Sequence, residues 1–365
     1  AQVEDAADNA IAADSAIFTT GAGVITGLGT IADPYKINSL SGLAQIGTGI
    51  YGLGSYYELT QHIDAGSSND GGLGWLPLGT DNKFSGTLDG KNYTIKNLYI
   101  NRSTSTKNVG LFGTISGVVK NLKLENVNIS GNTYVGALAG HANGGTLSNI
   151  TVSGVVTASG KEVGGLVGST RNSSSIINCL STANVASTFG ADCFTGGLVG
   201  WAYEGSSITG SSAVGDVQGY SYVGGLVGQL RAATIIDSFA TGDVTGSGYS
   251  IGGLVGILYQ NAAVNNTCYA TGAVSGTQSV GGLVGYLYAS SLSNSYALNP
   301  SVTSTDTQTN FGRVVGTAAD AYTLNNNYAN VNMTEPFEGA FNAKTTDGKD
   351  GGDLLSWSID AAGTL

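Results

Sequence analysis

The sequence predicts an all-β fold: a right-handed parallel β-helix, or β-solenoid, of about 28-residue coils closed by terminal caps. Three observations carry this prediction. Close copies of Val223-Gly-Gly-Leu-Val-Gly228 end on Gly113, Gly140, Gly168, Gly200, Gly228, Gly256, Gly285 and Gly316, at separations of 27, 28, 32, 28, 28, 29 and 31 residues. Such a period marks an architecture in which each unit buries its apolar face only against its neighbours. Glycine, at 58 of 365 residues, is more than twice its usual share of about 7%, which disfavours helix. Residue types also persist when the repeats are aligned. One column reads Asn121, Asn149, Asn178, Asp237, Asn294 and Asn326. Asn and Asp tolerate a left-handed turn, so this column reads as a corner. The next holds Cys179, Ser211, Ser238, Cys268 and Ser295, small enough for an interior bend, and a third holds Leu180, Phe239, Tyr269, Tyr296 and Tyr328. Like residues stacked in register favour parallel rungs over hairpins. The handedness follows from the general rule for parallel crossovers.

Taken in order, residues 3–18 are Ala-rich and free of Gly and Pro, so residues 1–20 are expected to be a partly helical leader. Residues 21–105 form an atypical first-coil or capping segment. Within it, Asp33-Pro34 marks a turn and Ser39 to Ile46 a helical turn. Short extended pieces are expected over Tyr56 to Leu59, Trp75 to Gly79, Phe84 to Leu88 and Tyr93 to Ile100, with a tight turn at Asp89-Gly90 between the last two. Residues 106–334 are the repeat proper. In the fifth repeat three apolar pieces stand out: Val223 to Gly228 with Leu230, Thr234 to Phe239, and Gly242 to Gly246. They are too short and too evenly punctuated for βαβ units. The paired glycines suit close backbone packing. Residues 335–365 read as a C-terminal cap with a strand over Leu354 to Ile359, giving roughly eight to ten coils in all.

Charge narrows the function. Lys and Arg number 14 against 25 Asp and Glu, a net charge of −11, and no Lys/Arg cluster is expected to interrupt that field. Phosphate backbones and anionic lipids are repelled, so nucleic acid is excluded as a partner. No apolar run of about 18 residues spans a bilayer as a helix. The start at Ala1 fits a mature secreted protein or an excised fragment. Cys179 and Cys268 fall in one column three coils apart, roughly 14 Å at ~4.8 Å per coil, too far for a disulfide. Cys193 is expected as a free loop thiol.

The repeats resemble the GLUG-motif family of bacterial surface and secreted proteins, through the Gly-Leu-Val-Gly core seen here. The leader is similar to segments that precede such repeats, in Asp33-Pro-Tyr-Lys-Ile37, Leu59-Thr-Gln-His-Ile-Asp64, Trp75-Leu-Pro-Leu-Gly79 and Phe84-Ser-Gly-Thr-Leu-Asp-Gly90. The resemblance covers roughly residues 24–360. It implies a right-handed parallel β-helix on adhesins, autotransporter-like exoproteins or accessory regions of IgA-cleaving metallopeptidases. The peptidase activity is not carried over: the chain has no His-Glu-x-x-His, and His62 and His141 are its only histidines.

The most informative surface positions follow the Gly-Leu-Val-Gly strand. One residue beyond the closing glycine stand His141, Ser169, Trp201, Gln229, Ile257 and Tyr286; three beyond stand Asn143, Arg171, Tyr203, Arg231, Tyr259 and Tyr288. Strand alternation turns the residue between them inward. The expectation is an exposed stripe of Trp201, Tyr203, Arg231, Tyr259, Tyr286 and Tyr288 that binds a glycan or a host or neighbour-cell surface protein. Against it stands the plainer role of an aromatic ladder, stabilising the stack. Asp216 and Asp243 share a column with Asn184 and Ala273 and behave as turn residues. No cofactor is implied. Asp64, Asp70 and Asp81 are candidate calcium ligands, although their spacing departs from D-x-[DN]-x-[DN]-G.

The sequence thus points to a non-enzymatic adhesin or ligand-binding rod of an extracellular or surface-exposed bacterial protein. The alternatives are a self-assembling filament or spacer subunit and a polysaccharide-degrading β-helix enzyme. The last requires a groove of converging acids that the columns do not show.

Overall fold

The computed structural model describes residues 24–356 except 70, 191, 306–309, 335–340 and 342–343, together with Ser358; the side chains of 104–106 lie outside the described set. The expected leader helix of residues 3–18 falls outside it too. The chain is almost wholly β, its parallel strands stacked as a solenoid of about 9 turns at a spacing of about 29 residues.

In the fifth repeat the three expected pieces appear as five short strands, because the corners are sharper than the apolar pattern suggests. Val223–Gly224 and Val227–Arg231 are split at Gly225-Leu226, and Thr234–Ile236 and Phe239–Ala240 at Asp237-Ser238; Val244–Gly246 completes the coil. Each pairs in parallel with its counterparts one coil before and after. Val227–Arg231 lies between Val199–Tyr203 and Val255–Tyr259 in an eight-stranded sheet that runs from Phe112–Ile115 to Val315–Ala319.

Two columns make the corners. Asn121, Asn149, Asn178, Asp237, Asn294 and Asn326 all have left-handed φ between 49° and 55°, the conformation their short polar side chains tolerate. In two successive pairs the amides join: Asn149 Nδ2 donates to Asn121 Oδ1 at 3.0 Å and Asn326 Nδ2 to Asn294 Oδ1 at 2.8 Å. The small column after it is also a hydrogen-bond relay. Ser211 Oγ accepts from Cys179 N and Ser238 Oγ from Ser211 N, each at 3.1 Å.

The interior repeats one layer per coil. Leu198, Leu226, Leu254 and Leu283 are all fully buried, as are Val199, Val227, Val255 and Val284, each side chain contributing about 1.5–3 kcal/mol. Cys179 and Cys268 fill the same interior column, their thiols pushed up to about 12 by burial. Cys193 departs from expectation: it is fully buried beside Thr195, with Sγ 3.6 Å from Oγ1, because its loop folds back onto the coil. None of the three forms a disulfide.

The leader enters the same stack. Tyr35–Ile37, Tyr56–Leu59 and Thr87–Asp89 pair in succession and lead in parallel onto Val118–Val135. The helical turn is Leu40–Ala44, capped by Ser39, whose Oγ accepts from Gly42 N. Asp89-Gly90 makes a corner between parallel rungs and no hairpin: a Cβ on Gly90 would stand 2.4 Å from the Asn121 carbonyl oxygen of the next coil. At the other end a strand covers Gly352–Leu354 and pairs with Tyr328–Asn330; it meets the expected Leu354 to Ile359 at Leu354, while Trp357 and Ile359 lie outside the described residues. Buried Arg313 pins it there, donating to the Asp350 and Gly351 carbonyls at 2.9 and 3.0 Å and pairing with Asp353 at 2.7 Å.

Candidate functional site: a furrow beside the glycine corner

The closing glycine of each Gly-Leu-Val-Gly shapes the surface beside it. A Cβ on Gly228 would lie 2.5 Å from Thr195 N and 2.7 Å from Phe194 C, backbone atoms of the preceding coil. Only a bare Cα lets that strand cross so closely. Its consequence is an overhang: Tyr134, Glu162, Phe194 and Tyr222 lean over the outward face of the Gly-Leu-Val-Gly strands.

This overhang corrects the alternation argument. His141, Ser169, Gln229 and Ile257 do point away from the core, yet only 6%, 0%, 9% and 6% of their surfaces are exposed. Tyr134 meets the His141 ring edge-on at 5.5 Å, and Phe194 packs on Trp201 at 5.4 Å and on Tyr222 at 5.3 Å. Tyr222 in turn meets Tyr249, whose hydroxyl donates to Asp192.

The six stripe residues fall on one face in consecutive rungs. Tyr203 pairs with Arg231, Arg231 with Tyr259, and Tyr259 with Tyr288. Trp201 and Tyr203 stack at 4.1 Å, Arg231 sits 5.7 Å over the Tyr259 ring, Tyr259 and Tyr288 stack at 5.0 Å, and Tyr286 lies 6.4 Å from Tyr288. Arg231 is exposed, but the five rings are half-buried, because they cover one another and Phe194 covers Trp201. Asp320, hydrogen-bonded to Tyr288, raises that phenol above its ordinary range. A second aromatic ladder stands elsewhere on the coil, where Phe239 and Tyr269 stack at 4.7 Å and Tyr296 and Tyr328 at 5.8 Å.

At the N-terminal end of this overhang the polar groups are unusual. Burial pushes the Glu162 carboxyl up to about 7, against the pull of Lys161 and Lys107. Burial, with Arg171 and Lys83 nearby, pulls His141 down to about 4, so the imidazole is neutral. Here the charge expectation needs correcting. No Lys/Arg cluster exists along the chain, but stacking gathers Lys83, Lys107, Lys161 and Arg171, 88 positions from first to last, around one end of the furrow. No sequence window shows it, because the residues belong to different coils.

The remaining candidates have structural partners. Asp216 Oδ1 accepts from Asp243 N and Asp243 Oδ1 from Ala273 N, at 3.0 and 2.7 Å, so both carboxylates cap the next coil. Asp64 accepts from Gly66 N and Asn97 Nδ2 and pairs with Lys96 at 3.1 Å, while Asp81 stands in a separate exposed loop. Asp70 lies outside the described residues. Among the described residues no three His, Cys, Asp or Glu side chains are placed to hold a metal ion, and no helix is long and apolar enough to cross a membrane.

Comparison with known proteins agrees with this architecture. The GLUG motif matches residues 195–218, 219–245 and 276–303, so three coils of the β-solenoid carry GLUG repeats. The M26 IgA1-specific metallo-endopeptidase N-terminal region matches residues 78–154. Among curated proteins, the chain is 34% identical over 310 residues to halomucin of Haloquadratum walsbyi, covering 64% of this chain and 3% of halomucin. It is 36% identical over 196 residues to the immunoglobulin A1 protease of Streptococcus sanguinis, covering 53% of this chain and 9% of that protein. The chain therefore spans only a small part of each relative. A crystal structure from Bacteroides ovatus, solved as a candidate immunoglobulin A1 protease, superposes with a TM-score of 0.53 at 20% identity, covering 94% of this chain and 89% of that one. At that identity the likeness speaks to fold alone.

Proposed function

We propose that the chain is a non-enzymatic, ligand-binding rod of a secreted or surface-displayed protein, and that it engages glycan or a surface protein through Trp201, Tyr203, Arg231, Tyr259, Tyr286 and Tyr288. The observation that carries this reading is the ladder itself: flat rings and one guanidinium, half-exposed, in successive rungs of a rigid sheet. Such a face offers large amphipathic contact area with little ordering cost. Support for an extracellular setting comes from the relatives, among them halomucin and an immunoglobulin A1 protease. The match over residues 78–154 is to the N-terminal region of the M26 peptidases, which supports an accessory role.

Replacing Tyr203, Tyr259 and Tyr288 together by Ser is expected to abolish binding on a broad glycan array or to cells, with an unchanged circular dichroism spectrum. Binding that persists in the triple variant removes the stripe as the contact site. The competing spacer or filament reading is favoured by one feature, the rings of Tyr259 and Tyr288 stacking on each other at 5.0 Å. It predicts a lower melting temperature in the triple variant, with end-to-end association visible by light scattering. No cofactor belongs to this reading; calcium at Asp64, Asp70 and Asp81 is a separate, secondary proposal, since Asp64 already pairs with Lys96 and Asp81 stands in another loop. A melting temperature that falls on adding a chelator supports it, and an unchanged one removes it.

A further inference from the structure

Nine of the fourteen Lys and Arg residues lie between positions 80 and 171, against four of the twenty-five acids, Asp81, Asp89, Glu125 and Glu162. An acidic rod therefore carries one basic belt. Part of the belt is neutralised: Lys91 pairs with Glu58, Lys96 with Asp64 and Lys120 with Asp89. Arg102 is buried, its Nε donating to the Trp75 carbonyl at 3.2 Å. Lys83, Lys107, Lys123, Lys161 and Arg171 have no ion-pair partner among the described residues, and all but Lys123 lie around the overhang. Lys107 is in register with Thr133, and the pairing of Val135 with Val163 sets Lys161 on the next rung of that column. Lys83 precedes Phe84, which bridges to Ile115, so it heads the column that continues through Thr114, His141, Ser169 and Trp201. Arg171 ends the strand that carries Ser169.

Beneath these cations lies a second, independent observation. His141 Nδ1 and Nε2, Glu162 Oε2, Ser169 Oγ, Arg171 Nε and Trp201 Nε1 are all buried without a hydrogen-bond partner. His141, Glu162 and Ser169 are each more than nine-tenths buried. A buried polar group left unmatched costs about 1–3 kcal/mol, and folded proteins rarely leave several together. These five residues fall in three consecutive rungs at the overhang, with donors and acceptors left unmatched. The patch joins the stripe directly, because the Tyr134 hydroxyl feels Glu162, Tyr203 and Arg171 together.

We infer that this end of the furrow is an anion site: it takes the carboxylate or sulfate of an acidic saccharide, held by Arg171, Lys161, Lys107 and Lys83, with the adjoining sugar ring on Trp201 and Tyr203. Guanidinium and ammonium groups with unmatched donors beside them suit an oxyanion. Outside the belt 5 cations stand against 21 acids, a net −16 that repels acidic polymers failing to dock there. The inference rests on the glycan reading of the stripe and names its ligand class.

The test uses two pairs of probes that differ only in charge: hexagalacturonate against its methyl ester, and dextran sulfate against dextran. By calorimetry or biolayer interferometry the acidic member of at least one pair is expected to bind at least tenfold more tightly, weakening as salt rises. The pair that responds tells carboxylate from sulfate. R171Q/K161Q is expected to lose that preference, while K120Q, on a different face and paired with Asp89, keeps it. If R171Q/K161Q loses its β signal in circular dichroism, K107Q/K161Q, which alters two exposed side chains, replaces it. Equal affinity for both members of each pair overturns the anion site and leaves the stripe reading standing. No binding by any probe, with the glycan array also blank, overturns both.

Discussion

Glu162 and His141 stand at one overhang among different cations, and burial shifts their pKa values in opposite directions. Glu162 is raised from 4.5 to about 7 by burial, with Lys161 and Lys107 opposing. Its folded form therefore holds a proton that the unfolded chain releases, and stability from this group, full below pH 4.5, is lost as pH rises to 7. His141 is lowered from 6.5 to about 4 by burial, with Arg171 and Lys83 adding to it. Its contribution is full above pH 6.5 and is lost as pH falls toward 4. Between pH 4.5 and 6.5 the two slopes cancel. E162Q is expected to leave stability rising with pH across that window by about 1.4 kcal/mol per unit, and H141Q to leave it falling by as much. Urea unfolding at pH 4.5 and 6.5 reads the slopes; pH profiles of both variants parallel to the native one defeat the assignment.

At the scale of the element, the glycine corner decides how closely coils approach. A Cβ on Gly225 would stand 2.1 Å from the Gly253 carbonyl oxygen and 2.8 Å from the Ala240 Cβ, whereas one on Gly190 meets nothing within 4 Å. G225A is expected to destabilise the fold by roughly 1–3 kcal/mol or more, and G190A to change it by less than about 0.5 kcal/mol. Equal melting temperatures for the two variants contradict the packing argument. This corner, the Asn column and the alternation that buries Leu230 and Leu258 were all legible in the sequence, because each depends on one residue type recurring in one column. The overhang was not. Tyr134, Phe194 and Tyr222 are aromatic and, with Glu162, stand six residues before the closing glycine of their repeats, but alternation along a strand does not say that a side chain placed before the turn leans across it onto His141 or Ser169. Arg313 escaped for a related reason: its partners Asp350, Gly351 and Asp353 lie some forty positions away in a segment without the repeat.

Across the whole molecule the stack is additive, since each coil touches only those on either side. Val223 pairs with Ile251, one full coil on. Deleting residues 223–250 therefore joins Tyr222 to Ile251 with every later rung still in register. The shortened protein is expected to keep the native circular dichroism and a cooperative melt, while deletion of 223–236, half a coil, turns the interior residues outward and abolishes both. Loss of folding in the first deletion, or retention in the second, contradicts independent coils. The gathered cations belong to this scale as well. Lys83 and Arg171 become neighbours only through the winding, so a charge tally along the chain shows that residues 80–171 are basic but not which of their cations meet.

The stacked tyrosines also act as a graduated scale. Rungs follow one another at ~4.8 Å, close to the advance of one pyranose along an extended polysaccharide, so each added coil extends the tally of sugars that can be engaged without changing how any one is held. Gain or loss of a coil over generations would then adjust reach and avidity in whole steps, leaving the chemistry at the cationic end untouched.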